Sequence, residues 1–347
     1  MPNWVGVLDP KMPIVVMDHV TRRYDDLAAV DDVSLEVPRG TILGVIGPSG
    51  SGKTTLIRML TGTLAPSEGD LSVLGEHPRK FRRQTREKLG YMPQHFVLYD
   101  ELTARENVSF VASLFGLLWP KRGRRVRQLL ELLDLWDARN RRAKQLSGGM
   151  QRRLELACAM VHDPVLLFVD EPTAGIDPML RETVWNEFRR LRDAGRTLVV
   201  TTQIVSEAAY CDSIAVLSHG ALIALASPED LRRRASGGDV IEIKTTAAFD
   251  GVTLDGLPGV REIRQHAPRE ILVITDDAAT TTPRVVEAIQ SAGGTVVSSS
   301  EYRPTFDEVF SRLVTQAEES QDGAEQGKGV GVAEAEAKRD GAVPRAA

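Results

Sequence analysis

The feature that most constrains this chain is the run Gly47-Pro48-Ser49-Gly50-Ser51-Gly52-Lys53-Thr54, followed by Thr55. It comes directly after a β-branched stretch at 41–46 and before a segment that reads as a helix, and such a loop works only between a strand and a helix. Its glycines let consecutive backbone N–H groups turn inward around a phosphate, and the helix N-terminus adds a favourable partial charge. Lys53 supplies a mobile cation to β- and γ-phosphates, and the Thr54 hydroxyl offers a ligand to Mg²⁺. The four fixed positions of the pattern coincide by accident in roughly one chain of this length in a hundred. The loop predicts an α/β fold and a nucleotide ligand. It does not distinguish ATPases from GTPases or kinases.

The surrounding pattern agrees with that fold class. Short apolar runs at 165–169 and 197–201, each entered from a helix-like segment, suit parallel strands buried on both faces, and 14–20 reads as a first strand. Helical spacing links Val126, Leu129, Leu130 and Leu133, and again Val184, Phe188 and Leu191. An arginine-rich helical stretch, about 94–160, interrupts the strand pattern and reads as an inserted subdomain. Ser236-Gly237-Gly238 breaks the chain between a large α/β domain over 14–235 and a small one over 239–315. The small domain is expected to hold strands at 240–244, 271–275 and 295–299 and helices near 284–292 and 305–314. Residues 1–13 read as an N-terminal tail. The Gly/Ala/Glu/Gln-rich span 316–347 lacks the apolar surface to fold and predicts disorder.

Composition excludes several classes. The net charge is −5, of which the residues after Gln316 contribute −3, so the folded part is close to neutral. That balance argues against nucleic acid as the principal partner. Cys158 and Cys211 stand alone without a CxxC pair, which disfavours a disulfide scaffold or zinc site and fits a reducing compartment. The N-terminal segment lacks the apolar core of a signal peptide. The longest uncharged stretch, 108–120, falls short of the roughly 20 apolar residues of a membrane span, so a membrane role would come through a partner.

A second motif, Leu146-Ser147-Gly148-Gly149-Met150-Gln151, precedes the run at 165–169, which ends in Asp170-Glu171-Pro172. Ser147, Gly148 and Gly149 read as another anion-binding helix N-terminus. Taken in this order, the motifs resemble the ABC ATPase family, whose signature is LSGGQ; here Met150 holds the fifth position. The resemblance implies that ATP and Mg²⁺ are bound between two copies of the chain, the Ser147–Gly149 segment of one facing the γ-phosphate held by the other. It implies that Asp170 holds Mg²⁺ through water and that Glu171 is the general base for the attacking water. Gln94 matches the glutamine that touches Mg²⁺ or water, Asp177 the loop that crosses the dimer interface, and Tyr24 the ring that stacks on adenine. For Tyr24 the competing reading is a strand-end aromatic packed on the core. The family places a histidine after the strand at 197–201, where this chain has Gln203. Glutamine can donate a hydrogen bond to phosphate but cannot carry positive charge. Gln203 is expected to act as a neutral sensor with Glu171 as base, the alternative being impaired hydrolysis. His162 and His219 read as loop and turn residues.

The C-terminal domain, ending in Pro304-Thr305-Phe306-Asp307-Glu308-Val309-Phe310, resembles the extension on drug-export ATPases of the daunorubicin-resistance type, and the likeness covers about 14–315. It implies an ATP-dependent homodimer, a separately encoded integral-membrane permease, efflux of a drug-like or lipophilic compound, and a cytoplasmic chain held at the inner face of the plasma membrane. The alternative is a soluble ABC ATPase remodelling a ribosomal or nucleic-acid complex. Basic runs at 79–88, 121–127 and 139–144 read as solvated helix faces, with acidic lipid heads as a lesser possibility. The apolar run 110–119 reads equally as core or as a permease docking surface.

Overall fold

The computed structural model describes residues 12–94 and 97–319, and the chain divides into two units at 229/230. The first unit begins with β1 (Val15–Tyr24), β2 (Leu27–Val37), β3 (Ile42–Ile46), α1 (Lys53–Leu60) and β4 (Glu68–Val73). The short α2 (Arg83–Arg86) and β5 (Leu89–Met92) lead to three helices, α3 (Ala104–Leu114), α4 (Lys121–Leu132) and α5 (Gly148–Met160). Then come β6 (Leu166–Asp170), α6 (Pro178–Asp193), β7 (Thr197–Thr202), β8 (Ser213–Ser218) and β9 (Ala221–Ala226).

Six strands form one sheet in the order β5-β6-β7-β3-β8-β9, parallel except for the β8–β9 pair. Every residue of β3, β6 and β7 is buried, which is why these segments read as unbroken apolar or β-branched runs. β2-β1-β4 form a separate antiparallel sheet. Its Val15, Val20, Val33 and Leu35 share one core with Leu56, Ile57 and Leu60 of α1 and with Leu43, Val45, Phe168 and Val199 of the parallel sheet. The helix that follows the phosphate loop is therefore fixed by apolar packing to both sheets. Pairing of Asp170 with Thr201, and of Ile46 with Thr202, brings the carboxyl ends of β6, β7 and β3 side by side. In open α/β sheets ligands bind at such ends.

Between β5 and β6 the chain is helical. Thr103 and Glu106 form a capping box at the start of α3, and Val126, Leu129 and Leu130 bury one stripe of α4.

α7 (Pro228–Ser236) spans the division. Beyond it the second unit holds β10 (Asp239–Thr245), β11 (Val260–Ala267), β12 (Glu270–Thr275), α8 (Ala278–Ser291), β13 (Val296–Glu301) and a helix over 306–319. Its sheet is antiparallel, in the order β11-β12-β10-β13, with Ile241, Ile243, Ile271 and Val273 packed against Val285 and Ile289 of α8. The last helix corrects one expectation: disorder does not begin at 316, because 316–319 are helical. Gln, Ala and Glu are good helix formers, and extending an existing helix needs no new nucleus. The rest of the expected tail, 320–347, and nearly all of the 1–13 segment lie outside the described residues.

Phe168, fully buried in the centre of β6 two residues before Asp170, offers a test of how the core supports the site. Phe168→Ala should cost about 3–5 kcal/mol, read as a lowered urea midpoint for the first unit's unfolding.

Candidate active site

The phosphate loop leaves the end of β3 at Gly47. A Cβ there would lie 2.3 Å from the Leu217 carbonyl oxygen and 2.4 Å from Ser51 Oγ, so no other residue fits. No side chain caps the start of α1, which leaves its first-turn N–H groups to an anion. Lys53 is buried, and its Nζ donates to the Gly47 and Pro48 carbonyls at 2.8 Å each. Burial pushes its pKa below the usual lysine range, against the opposing pull of Glu171 and Asp170. A cavity of about 230 Å³ opens beside it, lined by Ser49, Gly50, Lys53, Thr54, Glu171 and Gln203, with Gly52, Thr55 and Gln94 completing the wall.

The acidic wall comes from the end of β6. Asp170 is fully buried; Thr201 Oγ1 donates to its Oδ1, while its Oδ2 has no hydrogen-bond partner. Glu171 adopts a left-handed φ of 53°, and its N–H donates to both the carbonyl and the hydroxyl of Thr201 at 3.1 Å. That backbone conformation is unfavourable for a residue with a Cβ. It turns the chain out of the strand, and the Glu171 side chain lines the cavity. There Gln203 Nε2 donates to Glu171 Oε1 at 2.6 Å, and Gln94 Nε2 donates to Oε2 at 3.4 Å. Thr54 Oγ1 donates to Gln94 Oε1 at 3.4 Å, so polar contacts run from the loop to the end of β7.

The remaining predicted residues lie elsewhere. Ser147 caps α5, its Oγ accepting from Met150 N–H at 3.4 Å, with Gly148 and Gly149 in the first turn. Asp177 caps α6, accepting from Leu180 N–H at 3.0 Å. Neither segment lines the cavity. Tyr24 also stands outside it, partly exposed at the end of β1, with the Arg22 guanidinium 4.8 Å from its ring centre. Its hairpin partner β2 does contribute Ala29 to the cavity wall.

Residues 30–174 match the ABC transporter family, and residues 227–314 match the C-terminal domain of DrrA1-3-like ATP-binding proteins. The daunorubicin resistance ATP-binding protein DrrA3 of Streptomyces coeruleorubidus is 37% identical over 305 residues, covering 86% of this chain and 95% of that protein. The chain belongs to the ABC transporter ATP-binding proteins. It carries their ATPase domain. The Nod factor export ATP-binding protein I of Sinorhizobium fredii (strain NBRC 101917 / NGR234) is 39% identical over 66% of this chain and 67% of its own length. "Probable multidrug ABC transporter ATP-binding protein YbhF" of Escherichia coli (strain K12) is 35% identical over 69% of the chain, which spans only 42% of that relative's length. Among solved structures, the dimeric bacterial ABC transporter cassette MJ0796 superposes with a TM-score of 0.58 at 26% identity, over 61% of this chain and 98% of the cassette. A post-hydrolysis state of that cassette, bound to ADP and Pi, gives 0.57 over the same shares.

In this ABC ATPase the site's carbonyl framework depends on a residue the motifs do not contain. Arg152, buried in α5, donates from Nη1 to the Pro93 and Gln94 carbonyls at 2.8 and 2.9 Å. Its Nε and Nη2 reach the Glu171 carbonyl at 3.2 and 3.0 Å, and Nη2 also donates to the Asp170 carbonyl. Nη1 further pairs with buried Glu155 at 3.2 Å, whose Oε1 accepts from Val97 N–H at 2.7 Å. One guanidinium thus ties together the segment around Gln94, the signature helix and both acidic residues. A signal existed: Arg152 occupies the same helical stripe as Leu156 and Ala159, where a charge requires buried partners. Glu207 plays a similar part, accepting from Thr173 and Thr202 hydroxyls at 2.6 Å each, with Arg181 Nε at 3.6 Å. Replacing Arg152 with alanine leaves Glu155 buried and unpaired, so Arg152→Ala should cost about 3–5 kcal/mol, measured by chemical denaturation. Arg152→Lys, with a single ammonium in place of the planar fork, should recover only part of that loss.

Proposed function

We propose that two copies of this chain hold two MgATP between them and drive a separate membrane permease that exports a drug-like or lipophilic compound. The observation that carries the catalytic part is the Glu171 carboxylate, held at the wall of the Lys53 cavity by Gln203 on one oxygen and Gln94 on the other. A carboxylate so placed can accept the proton of a water attacking the γ-phosphate. As the new P–O bond forms and the bond to the bridging oxygen breaks, ADP leaves with the charge of its β-phosphate.

The rest of the loop binds and orients. Lys53 exchanges its two carbonyl partners for β- and γ-phosphate oxygens, and Gly47, Pro48, Ser49, Gly50, Ser51, Gly52, Thr54 and Thr55 wrap the phosphates. Thr54 Oγ1 and Gln94 Oε1 at the cavity wall would hold Mg²⁺, with the unpartnered Asp170 Oδ2 reaching it through water, hard oxygens of the kind that ion takes. No cluster of three His, Cys, Asp or Glu that could hold a metal exists among the described residues. When bound, Mg²⁺ would neutralise charge on the phosphate oxygens. Tyr24, whose strand partner Leu27 lies two residues before Ala29 of the cavity wall, is the residue we assign to stacking on adenine.

Sharing of the site rests on what one chain does not assemble. Ser147, Gly148 and Gly149 form an anion-binding helix start, yet they do not line this chain's cavity. A second copy supplies them, with Asp177 at the interface. The dimeric form of the similar MJ0796 cassette supports this reading.

Coupling to a permease is supported by a second cavity of about 260 Å³, lined by Val97, Tyr99, Val111, Phe115, Glu155 and His162 among others. Its apolar lining suits side chains offered by a partner helix. Glu155 lines it while pairing with Arg152, so a load in this groove reaches the carbonyls of Gln94 and Glu171 through one ion pair. Among the described residues no helix is long and apolar enough to cross a membrane. In this proposal the permease forms the pore and the chain sits at the inner face of the plasma membrane. Export is supported by the roles named for similar proteins, daunorubicin resistance and Nod factor export.

Glu171→Gln should keep ATP affinity, lose about 10²–10⁴ in turnover, and accumulate as an ATP-bound dimer in light scattering. A monomer at saturating ATP would sink the shared site. Gln203→Ala should lower kcat about tenfold while ATP affinity stays within a few-fold; an unchanged kcat would remove Gln203 from the mechanism. Co-expression with a permease, followed by affinity pulldown and substrate-stimulated ATPase assays, tests the transport assignment.

A further inference from the structure

The helical hairpin of α3 and α4 ends in a turn over 115–120 that presents apolar side chains to solvent. Leu114 is 66% exposed, Leu118 77% and Trp119 72%. This is the densest run of exposed large hydrophobics among the described residues. Trp119 is nevertheless held in place. Its ring lies over Gly123, where a Cβ would come 2.9 Å from Cζ3, and the Arg122 guanidinium stands 5.6 Å from its centre.

The charges around the tip are one-sided. From Ala104 to Leu132 there are six Lys and Arg residues against Glu106 and Glu131. Both carboxylates are engaged: Glu106 closes the capping box with Thr103, and Glu131 pairs with Arg127 at 2.7 Å. Among the described residues no carboxylate pairs with Lys121, Arg122 or Arg124, which follow the tip directly. Behind Trp119 lies a cavity of about 520 Å³ walled by Trp119, Val126 and Trp136, with Arg105 and Arg127 beside them. Glu106 also lines it, already held by Thr103.

We infer that this tip inserts into the headgroup region of an anionic phospholipid bilayer. Indole rings favour the membrane–water interface, leucines favour the acyl region beneath it, and long basic side chains reach lipid phosphates while their stems stay in apolar surroundings. A purely protein partner would call for the apolar residues but not for the unpaired cations directly behind them. The charge pattern selects the anionic surface. Phe115, in the same turn, lines the groove proposed for the permease, so the two would meet the membrane side together. The lipid contact itself requires no permease.

The test is sedimentation of the purified full chain, without permease, on vesicles of phosphatidylcholine alone or of equal parts phosphatidylcholine and phosphatidylglycerol. Binding is expected to the mixed vesicles, to weaken with added salt, and to be far lower on phosphatidylcholine alone. The double variant Leu118→Glu/Trp119→Glu should abolish it. Lys121→Glu/Arg124→Glu, which leaves Trp119 and its Arg122 contact in place, should weaken it at least about tenfold. Both should retain the basal ATPase rate, since neither pair touches the nucleotide cavity, and that rate also reports correct folding. Equal binding to both vesicle types, no binding in the absence of permease, or binding that survives both variants would overturn the proposal. None of these results bears on the permease reading, which pulldown decides separately.

Discussion

The site exists because three parallel strands end at the same level. Backbone pairing of Ile46 with Thr202 and of Asp170 with Thr201 sets Gly47, Glu171 and Gln203 at neighbouring strand ends without any of the three touching in sequence. That register is enforced by burial. A slip of one residue in β6 would turn every side chain of a strand buried on both faces, including Phe168 and Val169, into a misfit. The apolar core beneath the sheet and the polar chemistry at its edge are thus two consequences of one alignment.

On this frame the polar groups are arranged by a few buried hubs. Arg152 satisfies four carbonyls that end or leave strands β5 and β6, and Glu207 fastens the segment after Glu171 to the end of β7 through two threonine hydroxyls. Such groups are costly to desolvate and are kept only with full complements of partners. Their effect is to tie the acidic pair, the Gln94 segment and the signature helix to one guanidinium. The neutral Gln203 fits this scheme, because it braces Glu171 by a hydrogen bond rather than by charge.

Much of this was legible in the sequence, and the limits are physical. The phosphate loop, the Asp170-Glu171 strand end and the Ser147 helix start are local patterns in which a few consecutive residues create the conformation. The parallel strands were visible because burial on both faces leaves an unbroken apolar record. The grouping of β1, β2 and β4 into their own antiparallel sheet was not, since which strands pair depends on contacts far apart in sequence. β11 was missed because only one of its faces meets the core and its residues are mostly exposed and polar. Arg152 belongs to no motif, and only its place in the buried stripe of α5 marks it as interior. The end of the last helix was set too early because composition says little about how far an established helix extends.

Lys53 carries a consequence for selectivity. Its ammonium donates to two carbonyls of its own loop, so an arriving anion must offer oxygens that replace both contacts. A polyphosphate presents several oxygens to the lysine and to the first-turn amides at once. The loop therefore discriminates by the number of oxygens a ligand brings together, a property of valence and spacing more than of charge.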